Sequence, residues 1–149
     1  MNKVKIEFVK KAQDALVPEL TTAGSYALKV LKGEMHRNAD NTGLLVYGCG
    51  IAVTIPEGYV GVIYPDVSIA GTSIMFAESV KILPAGESLL DIAFKFTSGT
   101  ALATAYEKDK IYGQLFIVPV VVPEVDVLEY VEQTEPITAA KVQVNTQEI

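Results

Sequence analysis

Residues 50–65 read Gly50-Ile51-Ala52-Val53-Thr54-Ile55-Pro56-Glu57-Gly58-Tyr59-Val60-Gly61-Val62-Ile63-Tyr64-Pro65. Two short runs rich in Val, Ile and Tyr, at 50–55 and 60–64, flank Pro56-Glu57-Gly58. Branched and aromatic side chains suit a pleated, half-buried surface. Pro fixes its own φ and Gly tolerates a positive one, so the three residues between the runs make a turn. The stretch predicts strand, turn, strand.

The same signal repeats outward in both directions. Upstream, residues 3–9 place Val4, Ile6 and Phe8 on one face, and residues 25–31 do the same with Tyr26, Leu28 and Val30; both have the period of two that marks a strand with one dry side. Residues 44–47 are a further short apolar run. Downstream, strands are predicted at 74–76, 80–83, 89–96, 110–122 and 125–131. In 89–96, Leu90, Ile92, Phe94 and Phe96 alternate with Asp91, Ala93 and Lys95. Residues 10–16 hold at most a helical turn before Pro18. Residues 32–42, with Gly33, Asn38, Asp40, Asn41 and the only His, read as loop.

No segment has ten or more residues with an apolar stripe of helical period. Many short strands separated by Gly/Pro turns predict an all-β fold: a sandwich, a jelly roll or a small barrel. Residues 1–132 form one domain. Residues 133–149 are a polar tail, frayed in a monomer or laid as an arm on a neighbour in an oligomer, with a short strand predicted at 141–144.

Composition narrows the function classes. The 149 residues are 50% hydrophobic and 20% charged, which excludes a disordered chain. With 18 acidic against 12 basic residues the net charge is −6, the wrong sign for a nucleic-acid coat. Cys49 is alone, so neither an intrachain disulfide nor a cysteine metal cluster forms, and a reducing compartment is expected. The first residues, MNKVKIEFVKKAQD, have no apolar core of a signal peptide, and no uncharged apolar run reaches 18 residues. A cytoplasmic chain that binds neither membrane nor nucleic acid is expected.

Four segments in register resemble the trimeric dUTPases. Thr42-Gly43-Leu44, then residues 55–65, then Ser68-Ile69-Ala70 resemble the run "tGl.v.iP.Gy.G.i.PRSgla" that leads into that family's second motif. Gly24-Ser25-Tyr26-Ala27-Leu28-Lys29 stands at the first motif, "GSAGxDL", and Gln114-Leu115-Phe116-Ile117-Val118-Pro119 is similar to the "QLi..P." end of the fourth. The resemblance covers most of residues 3–125. It implies a distorted β jelly roll (a dUTPase-like β-clip) with little helix. It also implies a homotrimer with sites at the subunit interfaces, and cleavage of dUTP to dUMP and pyrophosphate with magnesium held on the phosphates.

The same alignment removes the chemistry. Attack on a phosphoanhydride needs cations for the developing charge and a carboxylate to place water. The first-motif Asp falls at Lys29. The phosphate-facing Arg of the second motif falls at Asp66, where a carboxylate repels a triphosphate, and its Ser falls at Val67. In the third motif, Leu83 stands in place of the water-orienting Asp and Gly86 in place of the Tyr beneath the deoxyribose. Gln114 of the fourth motif is retained, and Lys110 replaces an Arg as a point charge rather than a fork. The glycine-rich C-terminal lid with its Arg and aromatic residue is absent from 135–149.

No catalytic residue and no metal ligand is therefore assigned, and no cofactor. The degenerate positions are Lys29, Asp66, Val67, Leu83, Gly86 and Gln114; the possible ligand contacts are Ser68, Lys110 and Gln114. The expected function is that of a catalytically silent, homo-oligomeric dUTPase-like protein with a binding, regulatory or structural role, of phage or mobile-element type. The alternative is a divergent nucleoside triphosphate pyrophosphatase, with Mg2+ accompanying the nucleotide.

Other candidates have plainer readings. Asp66, Glu78, Glu87 and Asp91 form either an acidic patch or ordinary solvated charge, and an ion pair between Lys29 and Asp66 is a further candidate. His36, beside Glu34 and Arg37, reads as a surface residue, and Cys49 as a small buried group. Tyr47, Tyr59, Tyr64, Tyr112 and Tyr130 read as core or subunit contacts, since no basic stripe accompanies them. The glycines at 48, 50, 58 and 61 do not make a phosphate-binding loop. The run 115–122 resembles a core strand continuing into an interface strand.

Overall fold

The computed structural model describes residues 3–71, 74–77, 80–97 and 107–132. Glu78, the tail at 133–149 and its strand at 141–144 lie outside the described residues. Among those described, twelve strands follow in order: β1 (Glu7–Lys10), β2 (Glu19–Leu20), β3 (Tyr26–Lys29), β4 (Lys32–Arg37), β5 (Gly43–Gly48), β6 (Ile51–Ile55), β7 (Tyr59–Pro65), β8 (Met75–Phe76), β9 (Lys81–Leu83), β10 (Gly86–Leu89), β11 (Ile92–Phe96) and β12 (Ile111–Pro119). The one helical element among them is a 3-10 turn at Val67–Gly71. The fold is all-β, with a jelly-roll-like arrangement.

Three antiparallel sheets enclose one core. Their orders are β1-β6-β10, β4-β5-β11-β8 and β2-β3-β12-β7-β9. Alternation along each strand sends one set of side chains inward: Leu28, Leu45, Tyr47, Ile51, Val53, Ile55, Ile63, Ile92, Phe94, Tyr112 and Leu115 form the buried cluster. The predicted turn at Pro56-Glu57-Gly58 joins β6 to β7, with Gly58 at φ +86°. Two strands that are successive in the chain thus sit in different sheets.

Two expectations fail here. Residues 32–37 are strand β4 rather than loop, paired with β5 from Lys32↔Gly48 to Arg37↔Gly43. Every residue of β4 is exposed, so neither face needs apolar alternation, and the sequence carried no period to read. The loop shrinks to 38–42, closed by the Asn38 N–H donating to the Thr42 carbonyl at 2.7 Å, with Asn41 at φ +65°. Conversely, residues 125–131, though rich in Val, form no strand; a strand needs a partner edge, and no strand of the described residues pairs with them. The run predicted at 110–122 is paired only over 111–119, and the run at 89–96 is two strands, β10 and β11, broken at Leu90-Asp91.

Candidate functional site

The centre of the five-stranded sheet is β12, which is paired on both sides: Gln114 lies opposite Ala27 of β3 and Tyr64 of β7. This register brings the end of β7, the start of β3 and the middle of β12 to one place. Asp66 follows β7 directly, and its backbone N–H donates to the Tyr112 carbonyl at 3.2 Å. The Asp66 carbonyl then accepts the Ile69 N–H at 2.9 Å, opening the 3-10 turn.

A directed chain of hydrogen bonds ends on the Asp66 carboxylate. A carboxylate only accepts, so the Gln114 amide must turn its NH2 toward Asp66; Nε2 donates to Oδ1 at 2.9 Å. That leaves Gln114 Oε1 to accept from the Ser25 hydroxyl at 2.8 Å. With its proton so used, Ser25 accepts in turn from the Thr21 hydroxyl, also at 2.8 Å. From the other side the Ser68 hydroxyl and backbone N–H both donate to Asp66 Oδ2, at 2.5 and 3.1 Å. Ser25 is the buried polar residue of the described core, and this chain satisfies it.

Partial burial pushes the Asp66 carboxyl up. The donors from Ser68, Gln114 and the Val67 backbone outweigh it and hold the group below the ordinary aspartate value. The site is therefore an ionised carboxylate dressed with neutral donors.

The other sequence-predicted positions stand apart from it. Lys29 ends β3 opposite Ile111, and its ammonium lies 3.7 Å from Glu19; this pair stands in place of the expected Lys29–Asp66 ion pair. Val67 projects into solvent, and Lys110 is exposed just before β12. Leu83 is buried in β9 opposite Gly61, part of the core. Gly86 begins β10 at φ +109°, with open space where a side chain would begin. Of the named residues, the structure brings together Asp66, Ser68 and Gln114. Thr21 and Ser25 were missed as members of the site; Ser25, a small hydroxyl just before an apolar strand, was visible in the first motif but carried no chemical signature.

The described acidic residues Asp66, Glu87 and Asp91 have separate partners. Asp91 sits between β10 and β11, where burial raises its pKa against the pull of Lys81 and Lys32. Glu87 pairs with Lys11 at 2.7 Å. Among the described residues no three His, Cys, Asp or Glu are placed to hold a metal ion. Cys49 is fully buried, which pushes its thiol up, and Tyr112 donates its hydroxyl to the Leu90 carbonyl at 2.6 Å. His36 lies exposed, 3.6 Å from Glu34. No helix of the described residues is long and apolar enough to cross a membrane.

Along most of its length the chain aligns with solved structures of staphylococcal phage dUTPases. The dUTPase of Staphylococcus bacteriophage 80alpha with dUPNHPP aligns with a TM-score of 0.64 and 19% identity, over 89% of this chain and 93% of that one. The chain has the dUTPase fold. A variant of the same phage enzyme with dUpNHpp gives a TM-score of 0.65 and 19% identity, over 88% of this chain and all of that one. The dUTPase of phage phi11 of S. aureus, described with a structural Mg(II) ion, gives 0.64 and 19%, over 87% of this chain and all of that one. No protein-family model matches the chain, and no curated protein matches it in sequence.

Proposed function

We propose that this protein is a catalytically silent dUTPase-fold protein of the cytoplasm that assembles with copies of itself and has a binding, regulatory or structural role. The observation that carries the reading is Asp66. It stands where the resemblance places a phosphate-facing Arg, and its hydrogen bonds keep it ionised. An anion there opposes the negative charge that phosphoryl transfer develops. Its two oxygens and the Gln114 amide already bond to one another and to Ser68 and Ser25, so a ligand would have to break a satisfied network. The buried Leu83 adds to this, since an alkyl side chain places no water.

A regulatory role has support by analogy with the 80alpha phage dUTPase, which is described as controlling transfer of virulence genes. A shared fold supports such a role only by likeness.

Calorimetric titration with a nonhydrolysable dUTP analogue and magnesium tests the reading. No heat at millimolar nucleotide is expected from folded protein of known oligomeric mass. Micromolar binding at one site per subunit, followed by pyrophosphate release from dUTP, overturns it in favour of a divergent pyrophosphatase using Mg2+ and recruiting Lys110 and Ser68.

A further inference from the structure

β4 is the outermost strand of its sheet: it pairs with β5 on one side, and no strand of the described residues lies on the other. Hydrogen bonding alternates along an antiparallel pair. The Asn38 N–H donates to the Thr42 carbonyl, which makes 38↔42 a bonded pair and, in the same register, 36↔44, 34↔46 and 32↔48. The backbone N–H and C=O groups of Gly33, Met35 and Arg37 therefore point away from β5, along an edge whose residues are all exposed. Neither a proline nor a break in register blunts it between 33 and 37.

The two faces of β4 differ. Glu34 and His36 share the face of Val46 and Leu44, with carboxylate and imidazole 3.6 Å apart. Met35 lies opposite the buried Leu45, which pairs in turn with the buried Phe94, yet Met35 is 43% exposed. A core row thus ends on an uncovered apolar side chain. Arg37, on the same face, donates to the Met35 sulfur at 3.5 Å and stands over the Phe96 ring.

Together these fix a self-complementary register. Outward groups can bond only to outward groups, so 33, 35 and 37 must face 33, 35 and 37 of any antiparallel copy. Centring the pair on Glu34 sets Glu34 against Glu34, and centring it on His36 sets His36 against His36. Centring it on Met35 engages all three outward residues, as 33↔37, 35↔35 and 37↔33. The pairs between them then set Glu34 against His36 of the other copy, a carboxylate against an imidazole N–H. Gly33, which has no side chain, falls beside the other copy's Arg37 and leaves it room.

We propose that β4 pairs with β4 of a second copy, antiparallel about a two-fold axis at Met35, so that each Met35 covers the other and two four-stranded sheets become one. The contact is isologous and closes in one step. A ladder this short is a small interface, so pairing at about 10–100 µM is expected. The proposal rests on the self-assembly in the reading above and names one surface that makes it; Asp66 and the five-stranded sheet take no part.

Sedimentation of the full chain over a concentration series reads the contact. Met35→Pro removes an outward N–H and no bond to β5, a substitution that an edge strand tolerates. It is expected to halve the sedimenting mass. Glu34→Lys and His36→Glu each destroy the match across the axis and are each expected to weaken pairing by about tenfold or more. An equimolar mixture of these two is expected to restore it, because the mixed pair again sets opposite partners at both places. Folding of each variant is checked by far-ultraviolet circular dichroism. Assembly unchanged by all three variants overturns the edge contact and leaves self-assembly standing. Charge variants that weaken pairing without rescuing one another overturn the register centred on Met35. A wild-type chain that sediments as a monomer at every concentration overturns both the contact and the self-assembly.

Discussion

At Asp66, burial and hydrogen bonding act in opposite directions on one carboxyl, and hydrogen bonding prevails. Its folded pKa lies below its unfolded value, so in the interval between them the unfolded chain binds more protons and stability rises with pH. The contribution is present above about pH 4 and is lost as pH falls through the folded value. Asp66→Asn should therefore flatten the acid limb of stability against pH, measured by urea denaturation at a series of pH values; an unchanged acid limb would contradict the assignment. Asp91 has the reverse sign. Burial raises its pKa, so its ionisation above that value destabilises the fold, and Asp91→Asn should raise the urea midpoint slightly at neutral pH. Ser25→Ala leaves Gln114 Oε1 without its donor and should cost about 1–3 kcal/mol in the same assay. Asp66 was legible as a charge reversal in sequence. Its partners were not, because Thr21, Ser25 and Gln114 come from segments up to 93 residues apart (21 to 114) that only β12 brings together.

At the scale of elements, the turn between β6 and β7 was legible because its chemistry is local. Gly58 adopts φ +86° with nothing near its missing side chain, so Gly58→Ala meets no clash and pays only the left-handed backbone cost, about 1–2 kcal/mol. Gly61 answers to a different physics. A Cβ there would stand 2.7 Å from Ile55 Cδ1 and 3.2 Å from Leu115 Cδ1, across two sheets. Gly61→Ala should overpack the core by about 1–3 kcal/mol, and truncating the obstacle with Ile55→Val should make the pair of changes less than additive. The first effect follows from three adjacent letters; the second exists only where β6, β7 and β12 meet. β4 is the opposite lesson, an exposed strand held by its ladder to β5 and invisible to any search for apolar alternation.

At the scale of the molecule, the pairings are long-range: Glu7 lies against Thr54, Lys29 against Ile111, Tyr59 against Pro119. Loop closure has to precede most of the stabilising contacts, so refolding should take milliseconds to seconds rather than microseconds. Stopped-flow tyrosine fluorescence reports it, since Tyr47 and Tyr112 pass from solvent to the core. A microsecond phase carrying the whole amplitude would contradict this topology.

The sequence by itself determined the fold class, most strand positions and the turns, because alternation, branched side chains and Pro-Gly chemistry are properties of neighbours along the chain. It also placed a carboxylate where the resembling family has an arginine. Tertiary structure alone decided that Lys29 turns to Glu19, that Asp66 is the end of a hydrogen-bond chain, that 32–37 is a strand and that 125–131 is not. Each of these depends on what lies across a sheet rather than along the backbone. A side chain's partner is set by register, and register is a property of the folded whole.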